Sequence, residues 1–138
     1  MVMKFPFLEV LAVALVILGC SATIAGGAAR AEAAEPCDLA LGAKIFTKCA
    51  ACHTFDASGR HGAGPTLNSI IGKPSGSSSG FPYSEAMQAF QRLWTESELD
   101  SFLQQPMAAI PGTTMAFGGL AKPHQRAAVI CYLAQGAD

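Results

Sequence analysis

Apolar positions recur with a helical period in several stretches of this 138-residue chain. Between positions 38 and 48, Leu41, Ile45 and Phe46 stand at i, i+4 and i+5, the spacing of an amphipathic helix. Asp38 is placed to cap it. Ser84 is placed to cap a short helix ending at Phe90. Thr95-Glu96-Ser97-Glu98 reads as a capping box, with Thr95 as the cap and Glu98 reaching back to it. The helix it starts runs to about Gln104 and stops before Pro106. Pro123 sits at a first helical position and Gly136 just past the end of a last helix. Between them Ala127, Ile130, Cys131, Leu133 and Ala134 form an apolar face. No segment alternates apolar and polar residues as a half-buried strand does. The pattern predicts an all-α fold of three main helices and one short one.

The pattern lapses across 54–80, which carries Gly59, Gly62, Gly64-Pro65, Gly72 and Pro74, then Ser75-Gly76-Ser77-Ser78-Ser79-Gly80. Loops of that length ordinarily count against an assignment, because so few helices make a thin core. A bound apolar cofactor removes the conflict: the loops then wrap it, and it supplies the missing core.

The N-terminus is different in kind. Lys4 precedes an apolar run over 10–19, and Ala29-Arg30-Ala31 and Ala31-Glu32-Ala33 each offer a small-x-small cleavage site. This is the layout of a secretory signal peptide over 1–33, leaving a domain over 34–138. Two other fates stay open. Positions 10–29 are about as long as a membrane span, so the segment can remain as an uncleaved anchor. Ile17-Leu18-Gly19-Cys20 resembles a lipoprotein box with Cys20 acylated, although Leu18 is large for its place. The leader inflates the hydrophobic content of 51%, and a net charge of −1 leaves no footprint for nucleic acid or an anionic membrane.

The candidate chemistry lies in Cys49-Ala50-Ala51-Cys52-His53. The spacing C-x-x-C-H is that of a c-type haem attachment. Each thiol adds across one haem vinyl group, and the adjacent imidazole falls beneath the iron as its first axial ligand. A thioredoxin-like CxxC would follow a strand, and none precedes Cys49. A zinc site needs a second ligand pair, and His61 and His124 stand alone. One covalent haem c, through Cys49 and Cys52, is therefore expected. Met1 and Met3 fall in the leader, and Met87 and Met107 fall on or beside helices. Met115 lies in Ile110-Pro111-Gly112-Thr113-Thr114-Met115, a turned loop just before the last helix and suited to close over a haem.

These motifs occur in an order that closely resembles the class I cytochromes c, particularly the mitochondrial and cytochrome c2-like branch. The match spans about 38–135. It rests on Gly42-Ala43-Lys44-Ile45-Phe46, the CAACH motif, Gly64-Pro65-Thr66-Leu67, Gly72-Lys73-Pro74-Ser75-Gly76, Phe81-Pro82-Tyr83-Ser84, Trp94, the Met115 loop and Cys131-Tyr132-Leu133. The resemblance implies that fold, with long loops wrapped around the haem, and His53 and Met115 as iron ligands. It implies that the Pro65 carbonyl accepts from His53 and that Tyr83 and Trp94 hydrogen-bond a haem propionate. Gly42, Phe46 and Tyr132 match the crossing of the first and last helices, and His61 matches a histidine that ties two loops.

Several positions depart from the family. Met87 and Phe102 stand where mitochondrial members carry Asn and Tyr, which implies a drier pocket. Lys73 replaces an Arg near a propionate. Met107, Ala108 and Thr114 replace lysines of the mitochondrial docking ring, while Lys48 remains. Cys37 and Cys131 are left over. The family's helix crossing brings them into one neighbourhood, where they form either a disulfide or two unpaired buried thiols.

The function implied is a monomeric, periplasmic one-electron carrier in a respiratory or photosynthetic chain, not an enzyme. Its partners would be redox proteins: a quinol:cytochrome c reductase, a terminal oxidase, a reaction centre or a dehydrogenase. A haem subunit of a larger oxidoreductase is one alternative. A peroxidase or gas sensor in which Met115 is displaced is another.

Overall fold

Asp38 starts the first helix as its sequence predicts: its carboxylate accepts from the Leu41 N–H at 2.8 Å. Helix α1 then spans Leu39–Phe46. The computed structural model describes residues 37–136. The proposed leader, its cleavage sites and Cys20 lie outside them. Four more helices follow: α2 (Glu85–Phe90), α3 (Glu96–Gln104), α4 (Pro106–Ala109) and α5 (Pro123–Ala134). Among the described residues there is no strand, only an isolated bridge between Pro74 and Leu93. None of these helices is long and apolar enough to cross a membrane.

The caps explain most of the boundaries. Ser84 Oγ accepts from Met87 N at 3.2 Å and starts α2. Thr95 Oγ1 accepts from Glu98 N at 3.1 Å and starts α3. The return half of the predicted capping box does not form. The Thr95 N–H donates to the Leu93 carbonyl at 2.8 Å, and the Glu98 carboxylate pairs with Arg92 at 2.8 Å. The turn before the helix had already satisfied the donor that Glu98 would have reached. Helix α4 was not foreseen: Pro106 stops α3 and then serves as the first residue of a single turn, where its missing N–H costs nothing.

Helix α5 differs from expectation in phase. Its buried residues are Arg126, Ala128, Val129, Ile130 and Leu133; Ala127 and Cys131 are half-buried and Ala134 is exposed. The inward stripe runs 126, 129, 130, 133, which is helical spacing with a charged residue inside it. An apolar-only reading rotates the helix because it sends Arg126 to solvent.

Helix α1 packs on α5, and Gly42 permits the approach. A Cβ there would lie 2.7 Å from the Tyr132 Cβ and would also strike the Ala128 carbonyl. Phe46, Phe55 and Tyr132 cluster beside the crossing, with ring centroids 5.2–5.4 Å apart. Cys37 and Cys131 are joined by a disulfide across the same pair, with Cα atoms 5.8 Å apart, a separation typical of such bridges.

The long loop is ordered by backbone bonds to its surroundings. Gly72 N donates to Trp94 O at 2.9 Å, Trp94 N to Lys73 O at 2.8 Å and Ser75 N to Arg92 O at 2.8 Å. His61 ties two loop strands, as the resemblance implied: Nε2 donates to Ser79 O at 2.9 Å and Nδ1 accepts from Thr66 N at 3.1 Å. Trp94, Phe102, Leu99, Ile70 and Val129 meet in the core beneath these turns.

The bridge closes a loop across a sequence separation of 94, so it removes much of the unfolded chain's freedom. Replacing Cys37 and Cys131 together by Ser is expected to lower stability in guanidinium unfolding by about 2–5 kcal/mol. The visible spectrum of the native protein should stay unchanged.

Candidate functional site

One turn of helical hydrogen bonding carries the CAACH motif. Cys52 N donates to Cys49 O at 3.0 Å and His53 N to the same carbonyl at 2.8 Å. Residues at i, i+3 and i+4 of such a turn share one side. Cys49, Cys52 and His53 all line one cavity of about 340 Å³. Pro65, Tyr83, Trp94 and Met115 line it too, so every site residue expected from the sequence meets in this space.

The His53 ring is fixed by two neighbours. Its Nδ1 is 2.7 Å from the Pro65 carbonyl oxygen, which can only accept, so Nδ1 carries the proton. In the neutral ring the Nε2 lone pair is then free for a metal. Burial lowers the His53 pKa, and the Pro65 bond works weakly the other way; the net direction favours the neutral, ligating form. Gly64 packs against the ring face, and a Cβ there would lie 2.7 Å from Nδ1 and 2.8 Å from Nε2. Gly64 N in turn donates to Cys52 O at 2.8 Å, tying this loop back to the motif.

The two thiols are free of any disulfide. Burial pushes the Cys49 thiol above its ordinary range, with Lys48 pulling slightly against it. At neutral pH it therefore stays a protonated thiol. Met115 is half-buried, and its backbone N–H donates to Thr113 Oγ1 at 3.3 Å, which shapes the turn presenting its side chain.

The rest of the lining is apolar. Met87 and Phe102 take part in it, as do Leu67, Ile70, Leu99, Leu103, Val129 and Leu133. The Phe102 ring lies 5.0 Å from that of Trp94 and offers no hydroxyl. The Lys73 ammonium donates to the Asn68 carbonyl at 2.7 Å, and the residue does not line the cavity. Phe81 and Thr113, within motifs named above but given no role there, line the cavity together with Phe117. Their spacing carries no chemical signature, so only the wrapped loop brings them in.

These residues fit a haem c. Two free thiols and an imidazole with an available lone pair share an apolar cavity of a size suited to a cofactor. The space that a Cβ at position 64 would fill belongs to the His53 ring.

Comparison with known proteins agrees. A family model described as Cytochrome c matches residues 39–137. A cytochrome c of Sesamum indicum is 46% identical over 101 residues, covering 72% of this chain and 91% of that protein. Cytochrome c-554 of Methylosinus trichosporium is 38% identical over 123 residues, covering 88% and 93%. Among solved structures, cytochrome cH from Methylobacterium extorquens superposes with a TM-score of 0.67 at 34% identity. That superposition covers 71% of this chain and 98% of the other.

Gly64→Ala is expected to displace the His53 ring, because a Cβ there would lie within 2.8 Å of both ring nitrogens while the Pro65 carbonyl holds the ring in place. Overpacking of this kind costs about 1–3 kcal/mol. The check is thermal unfolding of the haem-loaded variant, together with its haem-to-protein absorbance ratio; both should fall.

Proposed function

Because the chain belongs to the cytochrome c family, a group of single-haem electron carriers, we propose that it is a periplasmic carrier whose iron is held between His53 and Met115. The observation carrying this reading is that the oriented His53 ring and the Met115 side chain line the same cavity as the two free thiols. Bound haem supplies one-electron chemistry, with iron alternating between Fe(III) and Fe(II).

The chain's own residues set the terms of that chemistry. Cys49 and Cys52 would hold the group covalently, so it cannot dissociate between encounters. The Pro65 carbonyl keeps His53 in one tautomer and orientation, which avoids rearrangement when the charge at the site changes. Met115 offers a soft, uncharged thioether, a ligand that favours the reduced state and raises the potential. The apolar lining, with Met87 and Phe102 in it, excludes water that would otherwise reorganise around the changing charge. Tyr83 and Trp94 are suited to hydrogen-bond the propionates. The N-terminal segment would act as the export signal.

Replacing Met115 by Ala tests the ligand set. The oxidised visible spectrum should change and the reduction potential should fall, and the reduced variant should bind carbon monoxide rapidly where the parent does not. An unchanged spectrum and potential would contradict the assignment.

The docking face follows from exposure and charge. Met107 is 54% exposed, Ala108 and Thr114 are exposed, and Lys48 alone of these four is charged. Electrostatic steering toward an acidic partner should therefore be weak. The rate of electron transfer to a redox partner is expected to vary little between low and physiological ionic strength, measured by stopped flow.

A further inference from the structure

Arg126 is 6% exposed, the sole buried charged residue among the described residues. Its guanidinium stays charged at any ordinary pH, so it persists inside only where its donors are met. Four contacts meet them. Nε donates to Asp100 Oδ1 at 2.8 Å and Nη2 to Asp100 Oδ2 at 3.2 Å. Nη1 donates to the Leu120 carbonyl at 2.8 Å and to the Ala121 carbonyl at 3.2 Å. One planar fork thus joins α3, α5 and the segment that follows Met115.

That segment, 111–122, has no helix of its own. Its start is tied to α4 through Ile110 and Thr113. Its far end is held where Leu120 N donates to Leu103 O at 2.8 Å, and by the guanidinium two bonds further on. Between Met115 and these anchors lie Gly118 and Gly119; Gly119 is at φ +88°, a conformation other residues resist, and a Cβ there would strike the Gln104 carbonyl at the end of α3. A Cβ at Gly118 would meet nothing, so the stretch after Met115 has no side-chain brace there and depends on the anchors beyond it: if the far end loosens, Met115 can swing away.

We propose that the Asp100–Arg126 pair is a positioning device for Met115, an inference that rests on Met115 being the iron ligand. Asp100 aims the fork and the fork clamps the Leu120 and Ala121 carbonyls. The Met115 segment is then preorganised for the iron rather than recruited by it. Neither charged side chain lines the cavity, so the effect travels through the clamped backbone.

The test is displacement of Met115 by imidazole in the oxidised, haem-loaded protein at fixed pH and salt, read by absorption. Losing a charge-assisted contact of this kind should make Asp100→Asn bind imidazole about tenfold more tightly. Arg126→Lys should behave likewise, because a single ammonium cannot bridge a carboxylate and two carbonyls. Asp100→Glu should recover part of the parent behaviour. Glu98→Gln breaks the Arg92 pair on the same helix, away from the Met115 segment, and should leave imidazole affinity unchanged. The proposal is overturned if Asp100→Asn binds imidazole like the parent while its unfolding midpoint falls, since the pair would then be purely structural. If Arg126→Lys does not fold, Asp100→Asn decides alone. A parent protein that takes imidazole as an open site, with no sulfur ligand to displace, would refute the Met115 ligation itself.

Discussion

The close crossing of α1 and α5 at Gly42 is the constraint on which the rest hangs. The CAACH turn is the direct continuation of α1, and the Met115 segment is the direct approach to α5. Where those helices cross therefore decides where both parts of the proposed iron site begin. Gly42 lets the backbones meet, Phe46, Phe55 and Tyr132 fill the flank, and the Cys37–Cys131 bridge makes the meeting covalent. A side chain at position 42 would push the two helices apart by roughly its own thickness, and each part of the site would move with its helix.

From that crossing the two parts of the site are secured differently. The His53 part is held at short range: one helical turn, a glycine that vacates room for the ring, and a carbonyl on the next turn of loop. The Met115 part is held at long range, by a backbone bond to α3 and a half-buried ion pair bridging α3 and α5. The first arrangement has almost no freedom. The second rests on anchors that lie beyond Gly118 and Gly119, several residues from Met115.

Much of this was legible in the sequence because it is written in local chemistry. Asp38, Ser84 and Thr95 cap their helices through their own oxygens, and C-x-x-C-H places three reactive groups on one side of a single turn. Two kinds of feature were not legible. One is competition between partners that are both nearby. The Thr95 N–H donates to the Leu93 carbonyl, and the Glu98 carboxylate expected to reach it pairs with Arg92. The other is burial of a charge. Nothing in the local sequence says that Arg126 faces inward, because its partners lie on α3 and on a loop carbonyl, 26 and 6 positions away. Reading it as a surface residue rotated the whole face of α5. The cysteine pair stood between these cases: the helix crossing brought Cys37 and Cys131 together, but only the fold fixed a Cα separation that admits a bridge.

The central claim is that this fold closes one apolar cavity on an iron held by His53 and Met115. X-ray absorption at the iron edge of the purified, reduced protein tests it most directly, since it identifies the atoms bound to the metal. The account predicts a sulfur alongside the nitrogens in the parent protein, and its loss in Met115→Ala. An iron surrounded by nitrogen and oxygen alone in the parent would contradict it.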